Sequence, residues 1–373
     1  MNLQKQFPHK QLRNTSDYIT ESRYTFNEYI KECSSFNDYM DFLIIEAFAL
    51  PQVSQLKPKT NWGDVKAGFD QVTDIGARKK IAKGVRQTRK KKLLGKEGSN
   101  PKLAKEGINL PEFRTKGLSL APANESGRLN TCSCATRECK AACLNKAGRG
   151  AMSSVQTARV EKTNFMADHP HKFMAALHDE LDTHEKTAVQ AGFKPVVRLN
   201  VVSDIPYEKL HPEVFTQHPN VQFYDYTKVH SRLMNPDGSP KPQSHPNYHL
   251  TLSSTGIQSP AEQGNWKHVR QHLDNGGVAA MVFALKAGRG KKEGEALPEH
   301  VFDEKTGKKY RVFDGDKHDH RHADKIVNEV GPEEGMIMGL RIKGGKRALA
   351  SAGNFAVKVP AGQNHVSVPD IHN

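Results

Sequence analysis

A chain of 373 residues and 41.5 kDa, 36% of them hydrophobic, is long enough for one large barrel-sized domain or two ordinary ones and too apolar to be disordered throughout. Its net charge of +14 and pI near 9.4 point to a polyanionic partner. The longest apolar runs, such as 278–285, fall far short of the roughly 20 residues of a membrane-spanning helix, and the N-terminus shows no apolar signal core. We therefore expect a soluble protein in a reducing cytoplasm, where clustered cysteines hold a metal or serve chemistry more often than they form disulfides.

Residues 1 to about 75 carry helical patterning. In "FNDYMDFLIIEAFAL" the apolar residues fill one broad face before Pro51 stops it. Cys33 stands alone in this region and reads as a bystander of the core. Between Arg78 and Lys96, ten of nineteen residues are Lys or Arg and none is acidic. Such a block repels itself unless phosphates neutralise it. Arg78, Lys79, Lys80, Lys83, Arg86, Arg89, Lys90, Lys91 and Lys92 are accordingly expected to contact double-stranded DNA, the alternative being a solvated helix face or a flexible arm. With little aromatic interleaving, the run reads as a backbone clamp rather than a base-stacking platform. Gly and Pro punctuate 95–111 and place a boundary there, with a helical region over 1–110 and a second domain over 111–373.

From residue 115 the texture changes. "GLSLAPAN" (117–124) reads as a first strand, followed by a cysteine-rich loop over 130–150 and a long helical stretch over 151–191, broken near Pro170. Further strands are expected at 194–204, 220–228, 247–256, 276–285, 309–316 and 335–345, with 288–307 a hydrophilic excursion between two of them. Near-continuous apolar strands alternating with helices imply a mainly parallel sheet covered on both faces. Seven such strands with polar C-terminal ends suggest an α/β, TIM-barrel-like fold, incomplete or distorted, with an open doubly wound sheet as the alternative. No GxGxxG opens a helix after a strand, so a nicotinamide-binding half is unsupported, and no internal repeat is visible.

Four of the five cysteines fall within twelve residues, as Cys132-x-Cys134-x4-Cys139-x3-Cys143. Thiolates this close suit a structural tetrahedral zinc or an iron–sulfur cluster once the loop folds around the metal, although neither spacing is a standard one. The bland alternative is a set of reduced, partly buried thiols. A cysteine loop after the first barrel strand is also where radical S-adenosylmethionine enzymes keep their cluster. Their CxxxCxxC is absent, and the nearest subset is Cys134-x4-Cys139-x3-Cys143.

The strand ends form a second constellation. "RLNVVSDIPYE" carries Arg198, Asn200, Ser203 and Asp204, "FYDYTK" carries Asp225, Tyr226 and Lys228, and "VFDGDKHDHRHAD" carries Asp314, Asp316, His318, Asp319, His320, Arg321 and His322. In a barrel these loops meet on the face that hosts chemistry. Singly, each Asp is a turn or cap residue and each His a satisfied core or surface residue; together they mark a candidate active site. The Asp- and His-rich stretch after 313 is also a candidate divalent-metal site.

At these residues a resemblance enters. "LSLAPANESGRLNTC…C…AACLNKAGRG", "VRLNVVSDI", "VQFYDYTK", "YHLTLSSTG" and "VFDGDKHDHR", spread over about 115–357, together resemble the bacteriophage gene-88-like proteins. That family is in turn linked to the DpdA-type DNA transglycosylases, relatives of tRNA-guanine transglycosylase. The resemblance implies a barrel enzyme, at work in the cytoplasm of an infected bacterium, that removes guanine from DNA and installs a 7-deazaguanine base such as preQ0 to hide the DNA from restriction. It implies that an Asp carboxylate attacks C1′ of the deoxyribose and that the incoming base, helped by a second carboxylate, displaces the glycosyl-enzyme. The target base must leave the stack, which requires a pocket and a cationic duplex clamp. Asp204 is the first choice as nucleophile, with Asp225 beside it, and Asp314 or Asp316 the alternative, as in the tRNA enzymes. Arg198, Asn200, Ser203, Tyr226, Lys228, His318 and Arg321 are the expected substrate contacts, and Cys132, Cys134, Cys139 and Cys143 the metal ligands. The zinc cysteines of the tRNA enzymes lie late in the chain with a His, whereas these follow the first strand, so roles are expected by position alone. Two other readings stay open: an iron–sulfur, radical-type nucleic-acid-modifying enzyme, and a non-enzymatic, zinc-stabilised DNA-binding protein.

Overall fold

The computed structural model describes residues 60–89, 91–96, 110–257, 264–288 and 293–370. The expectation for Cys33, and the helical patterning before residue 60, lie outside them. In chain order the elements are α1 (Trp62–Asp70), α2 (Ile75–Thr88), β1 (Phe113–Gly117), α3 (Arg137–Ala141), α4 (Ser153–Asp168), α5 (Pro170–Gln190), β2 (Lys194–Arg198), α6 (Tyr207–Leu210), α7 (Glu213–Thr216), β3 (Gln222–Thr227), β4 (Tyr248–Ser253), α8 (Trp266–Asp274), β5 (Val278–Lys286), β6 (His300–Asp303), β7 (Lys308–Asp314), α9 (Asp324–Val327), β8 (Met336–Ile342), α10 (Gly345–Ser351) and β9 (His365–Val368). Local chemistry sets several boundaries. The side chain of Asn61 accepts from the Asp64 amide at 2.8 Å and that of Asp74 from the Ala77 amide at 2.7 Å, so each caps the helix it precedes. Pro170 opens α5 at a position whose N–H would have no partner anyway, which explains the expected break between the two long helices.

Nine strands form one sheet in the order β1-β2-β3-β4-β5-β8-β7-β6-β9, every pair parallel except β6–β7. The sheet is open, which corrects the barrel expectation. A barrel would join β7 to β1, but β6 already pairs along the outer edge of β7. At the other edge, Leu94 bridges Leu118 and the Gly95 amide donates to the Gly117 carbonyl at 2.9 Å, covering the end of β1. The expected first strand is shifted as well: it occupies Phe113–Gly117 rather than 117–124. Beyond Leu118, Pro122 has no amide to give a ladder and Ala123 turns the chain at a φ of 46°. The excursion over 288–307 contains β6, and β9 was not expected at all.

Alternation along the strands divides two environments. On one face Val197 and Phe223 pack with Phe173, Leu177 and Phe215 of the helices in a single apolar core. Val65, Phe69, Ala82 and Val85 of α1 and α2 belong to that same core, so the segments on either side of the boundary expected near residue 110 are packed together. The opposite face is polar: Thr115, Arg198, Tyr224 and Tyr226 meet the segment that follows β7, residues 318–324. Among the described residues no helix is long and apolar enough to cross a membrane.

Candidate functional site

The loop after β1 reaches the C-terminal ends of the strands. The Thr131 hydroxyl donates to the Ala121 carbonyl at 2.6 Å, and the Asp204 amide donates to the Thr131 carbonyl at 2.7 Å. This sets Cys132 beside Asp204. The Thr136 hydroxyl accepts from the Cys139 amide at 3.1 Å and starts α3. Cys132, Cys139 and Cys143 are free thiols, whereas Cys134 is disulfide-bonded, which reduces the four-thiolate set expected from spacing to three. Burial pushes the Cys132 thiol up to about 12 and the Cys143 thiol up to about 11, each reinforced by its neighbouring cysteines. As placed, the Cys132 and Cys143 thiols are protonated, and no group of three His, Cys, Asp or Glu among the described residues is arranged to hold a metal ion. Burial alone would lower Lys228, but its acidic neighbours, Asp204 among them, hold it above its ordinary value. Its ammonium donates to Ser253 at 3.3 Å and lies 5.6 Å from the Phe355 ring.

Asp204 does not cap the helix that follows: Pro206 is the N-cap of α6, and no side chain caps it. Its carboxylate instead accepts from Arg232 at 2.6 Å, from the Lys228 amide at 2.8 Å and from Thr227 at 3.2 Å. Burial raises its pKa, and Arg232 opposes that. The same guanidinium grips Glu208 at 2.8 and 2.9 Å and donates to the Tyr248 hydroxyl at 3.0 Å, which in turn donates to Asp225 at 3.2 Å. Asp225 is fully buried on the helix-covered face and accepts from the Asn200 amide at 2.7 Å and side chain at 3.0 Å. Burial pushes it up to about 7 in spite of Arg198. Asn200 also accepts from Ser203 at 2.9 Å and the Ile205 amide at 2.8 Å, fixing the turn that carries Asp204. The two leading carboxylates are thus joined through Arg232 and Tyr248, one ion-paired and one poised to hold a proton.

The remaining expected residues sort into two groups. Asp314 and Asp316 end β7 and pair with β8: Arg341 reaches Asp314 at 3.0 Å and Asp316 at 3.2 Å, and Lys343 reaches Asp316 at 2.7 Å. Burial would raise Asp316, but Lys343 and Arg341 bring it below the ordinary carboxylate range. Arg198 and Tyr226 converge instead on Asp319, at 2.7 and 2.8 Å, with the Tyr224 hydroxyl at 3.1 Å and the guanidinium of Arg198 4.5 Å from the Tyr226 ring. His318 and Arg321 flank that aspartate in the same buried segment. The sequence placed Asp319 in the strand-end constellation and in the candidate metal stretch without making it the centre of a cluster, and it gave no signal for Arg232 or Tyr248. Arg232 is a lone cation in a motif-free loop, and Tyr248 reads as one more core aromatic.

The basic run divides as well. Arg78 is turned inward from α2, bonded to Gln217, His178 and Asp182. Lys79, Lys80 and Lys83 are exposed along α2, Arg86 pairs with Asp179 at 2.7 Å, and Lys90 lies outside the described residues. Arg89, Lys91 and Lys92, by contrast, line a groove of about 740 Å³ together with Lys96, Lys116 of β1 and Lys162 of α4. Lys116 and Lys162 had no signal in the sequence, being single lysines in unrelated segments.

A family model described as gene product 88 matches residues 79–355. No curated protein and no solved structure matches the chain.

Proposed function

Because the chain belongs to the gene product 88 family, we propose that it is a phage DNA-modifying enzyme exchanging guanine for a 7-deazaguanine base. The observation that carries this reading is the carboxylate pair at the strand ends, with Asp204 ion-paired to Arg232 and Asp225 raised to about 7 behind it. Such a split suits a double displacement. An Asp204 oxygen forms a bond to C1′ as the C1′–N9 bond breaks, and guanine leaves with the bonding pair and takes a proton. The incoming base then attacks C1′ through its own nitrogen, loses a proton and releases Asp204. Lys228, held cationic with Asp204 among its neighbours, is the group assigned to give the leaving base its proton. Asp225 does not touch the sugar; through Tyr248 and Arg232 it positions Asp204.

The supporting measurement is nucleoside mass spectrometry on DNA from cells that express the chain and are supplied with a 7-deazaguanine. A deazaguanine nucleoside that disappears with Asp204→Asn supports the reading; unmodified DNA in both overturns it. The clustering of cysteines in the 130–150 loop keeps a second reading, an iron–sulfur enzyme acting on nucleic acid, for which the free thiols Cys132, Cys139 and Cys143 would have to move together. Anaerobic purification separates the two: a brown protein absorbing near about 400 nm supports the cluster. Tight DNA binding with no change in any nucleoside supports the non-enzymatic reading instead.

A further inference from the structure

We infer that the groove beside β1 seats the sugar–phosphate backbone of duplex DNA, and that Glu161 occupies a phosphate's place in it until DNA arrives. This deepens the nucleic-acid part of the proposed function and is independent of the base exchange.

Among the described residues that line it, six are cations, Arg89, Lys91, Lys92, Lys96, Lys116 and Lys162, and one, Glu161, is a carboxylate. These cations come from three places in the chain, the segment after α2, strand β1 and helix α4, so the charge is assembled by the fold and not by the basic run alone. None of the described lining residues is aromatic, which suits contact with phosphates rather than stacking of bases.

The groove is also built rather than loose. Glu180 of α5 accepts the amides of Leu93 and Leu94, each at 2.8 Å, and Lys162 donates to the Leu93 carbonyl at 2.6 Å. The segment 91–96 is thereby fixed against two helices before any ligand binds. Its far end lies on the end of β1, through Leu94 with Leu118 and Gly95 with Gly117. From there the chain runs into the loop whose Thr131 carbonyl holds the Asp204 amide.

Glu161 makes an ion pair with Lys91 at 2.8 Å, and both partners are largely exposed. A pair of that kind is weak in water and readily exchanged for a phosphate. The other cations of the run, Lys79, Lys80 and Lys83, sit on the exposed side of α2 and do not line the groove.

The test is fluorescence anisotropy of the full chain with a labelled DNA duplex across a series of salt concentrations. The double variant Lys92→Gln/Lys116→Gln is expected to lower the log–log salt slope by about 2, at about 0.9 per lost phosphate contact. Lys79→Gln/Lys80→Gln/Lys83→Gln is expected to leave that slope unchanged. Glu161→Gln is expected to tighten binding at low salt by about threefold or more, a gain that misfolding does not mimic. The inference is overturned if the α2 variant lowers the slope while the groove variant does not, or if Glu161→Gln leaves affinity unchanged or weaker. A protein that binds through the groove yet exchanges no base keeps this inference and loses the proposed chemistry.

Discussion

Among the described residues, Arg232, the Lys228 amide and Thr227 donate to the Asp204 carboxylate, and Arg232 is the charged donor of the three. Asp204→Asn keeps the shape of the side chain and removes the proposed nucleophile. That variant is expected to fold and bind DNA, and to exchange bases at least about a thousandfold more slowly, the scale of losing a key catalytic group. Near-normal exchange in Asp204→Asn, with loss in Asp314→Asn or Asp316→Asn, transfers the nucleophile to β7. Arg232→Met has a different signature. It strands Asp204 and Glu208 without their buried cation, so unfolding in urea is expected to show a loss of about 3–5 kcal/mol. A loss below about 1 kcal/mol means that the guanidinium is not what holds the two acids in place.

The elements were legible to different degrees, and chain length explains much of it. The central strands read correctly because each is a run of apolar residues buried on both faces, such as "VAAMVFAL" in β5. β6 and β9 are four residues each, "HVFD" and "HVSV", and half of each is polar, too short a pattern to stand out. The pairing of β6 with β7, and of β9 with β6, is what opens the sheet, so missing them also produced the barrel. The site was legible where acids end strands and illegible where partners arrive from distant segments, as Arg232, Lys116 and Lys162 do. For the loop over 130–150, the structure shows three free thiols beside Lys228 and one cysteine in a disulfide. The metal expected from the cysteine spacing, zinc first, requires these thiols to move together from the arrangement shown, and binding would supply the energy to deprotonate them. Elemental analysis of protein purified without added metal is expected to show close to one equivalent; below about 0.2 equivalents of any transition metal sinks the idea.

At the scale of the whole molecule, buried histidines dominate the response to pH. Burial brings His211, His218, His272, His318 and His322 down to about 4 and His249 and His320 to about 3, with His178 also well below its ordinary value. Their folded pKa values lie under the unfolded value of 6.5, so the native state takes up protons later than the unfolded one. The stability they contribute is whole above 6.5 and is lost as pH falls from 6.5 towards 4, at up to about 1.4 kcal/mol per pH unit for each histidine. Asp225 acts with the opposite sign: raised from 3.8 to about 7, it contributes stability at low pH that is lost as pH rises through 7. These eight histidines outnumber the acids that burial raises, Asp225, Asp204, Glu125 and Glu180, and predict a melting temperature that falls between pH 6.5 and 4. A flat profile across that window contradicts the buried, neutral placement of these rings.

The central claim is base exchange in DNA at Asp204, and the most direct measurement incubates purified protein, duplex DNA and preQ0 and follows the nucleosides by mass spectrometry. The account predicts a 7-deazaguanine deoxynucleoside appearing with free guanine in equal amounts, abolished in Asp204→Asn but not by loss of the groove cations at low salt. Bound duplex with guanine wholly retained, in protein shown by anisotropy to be saturated with DNA, contradicts it.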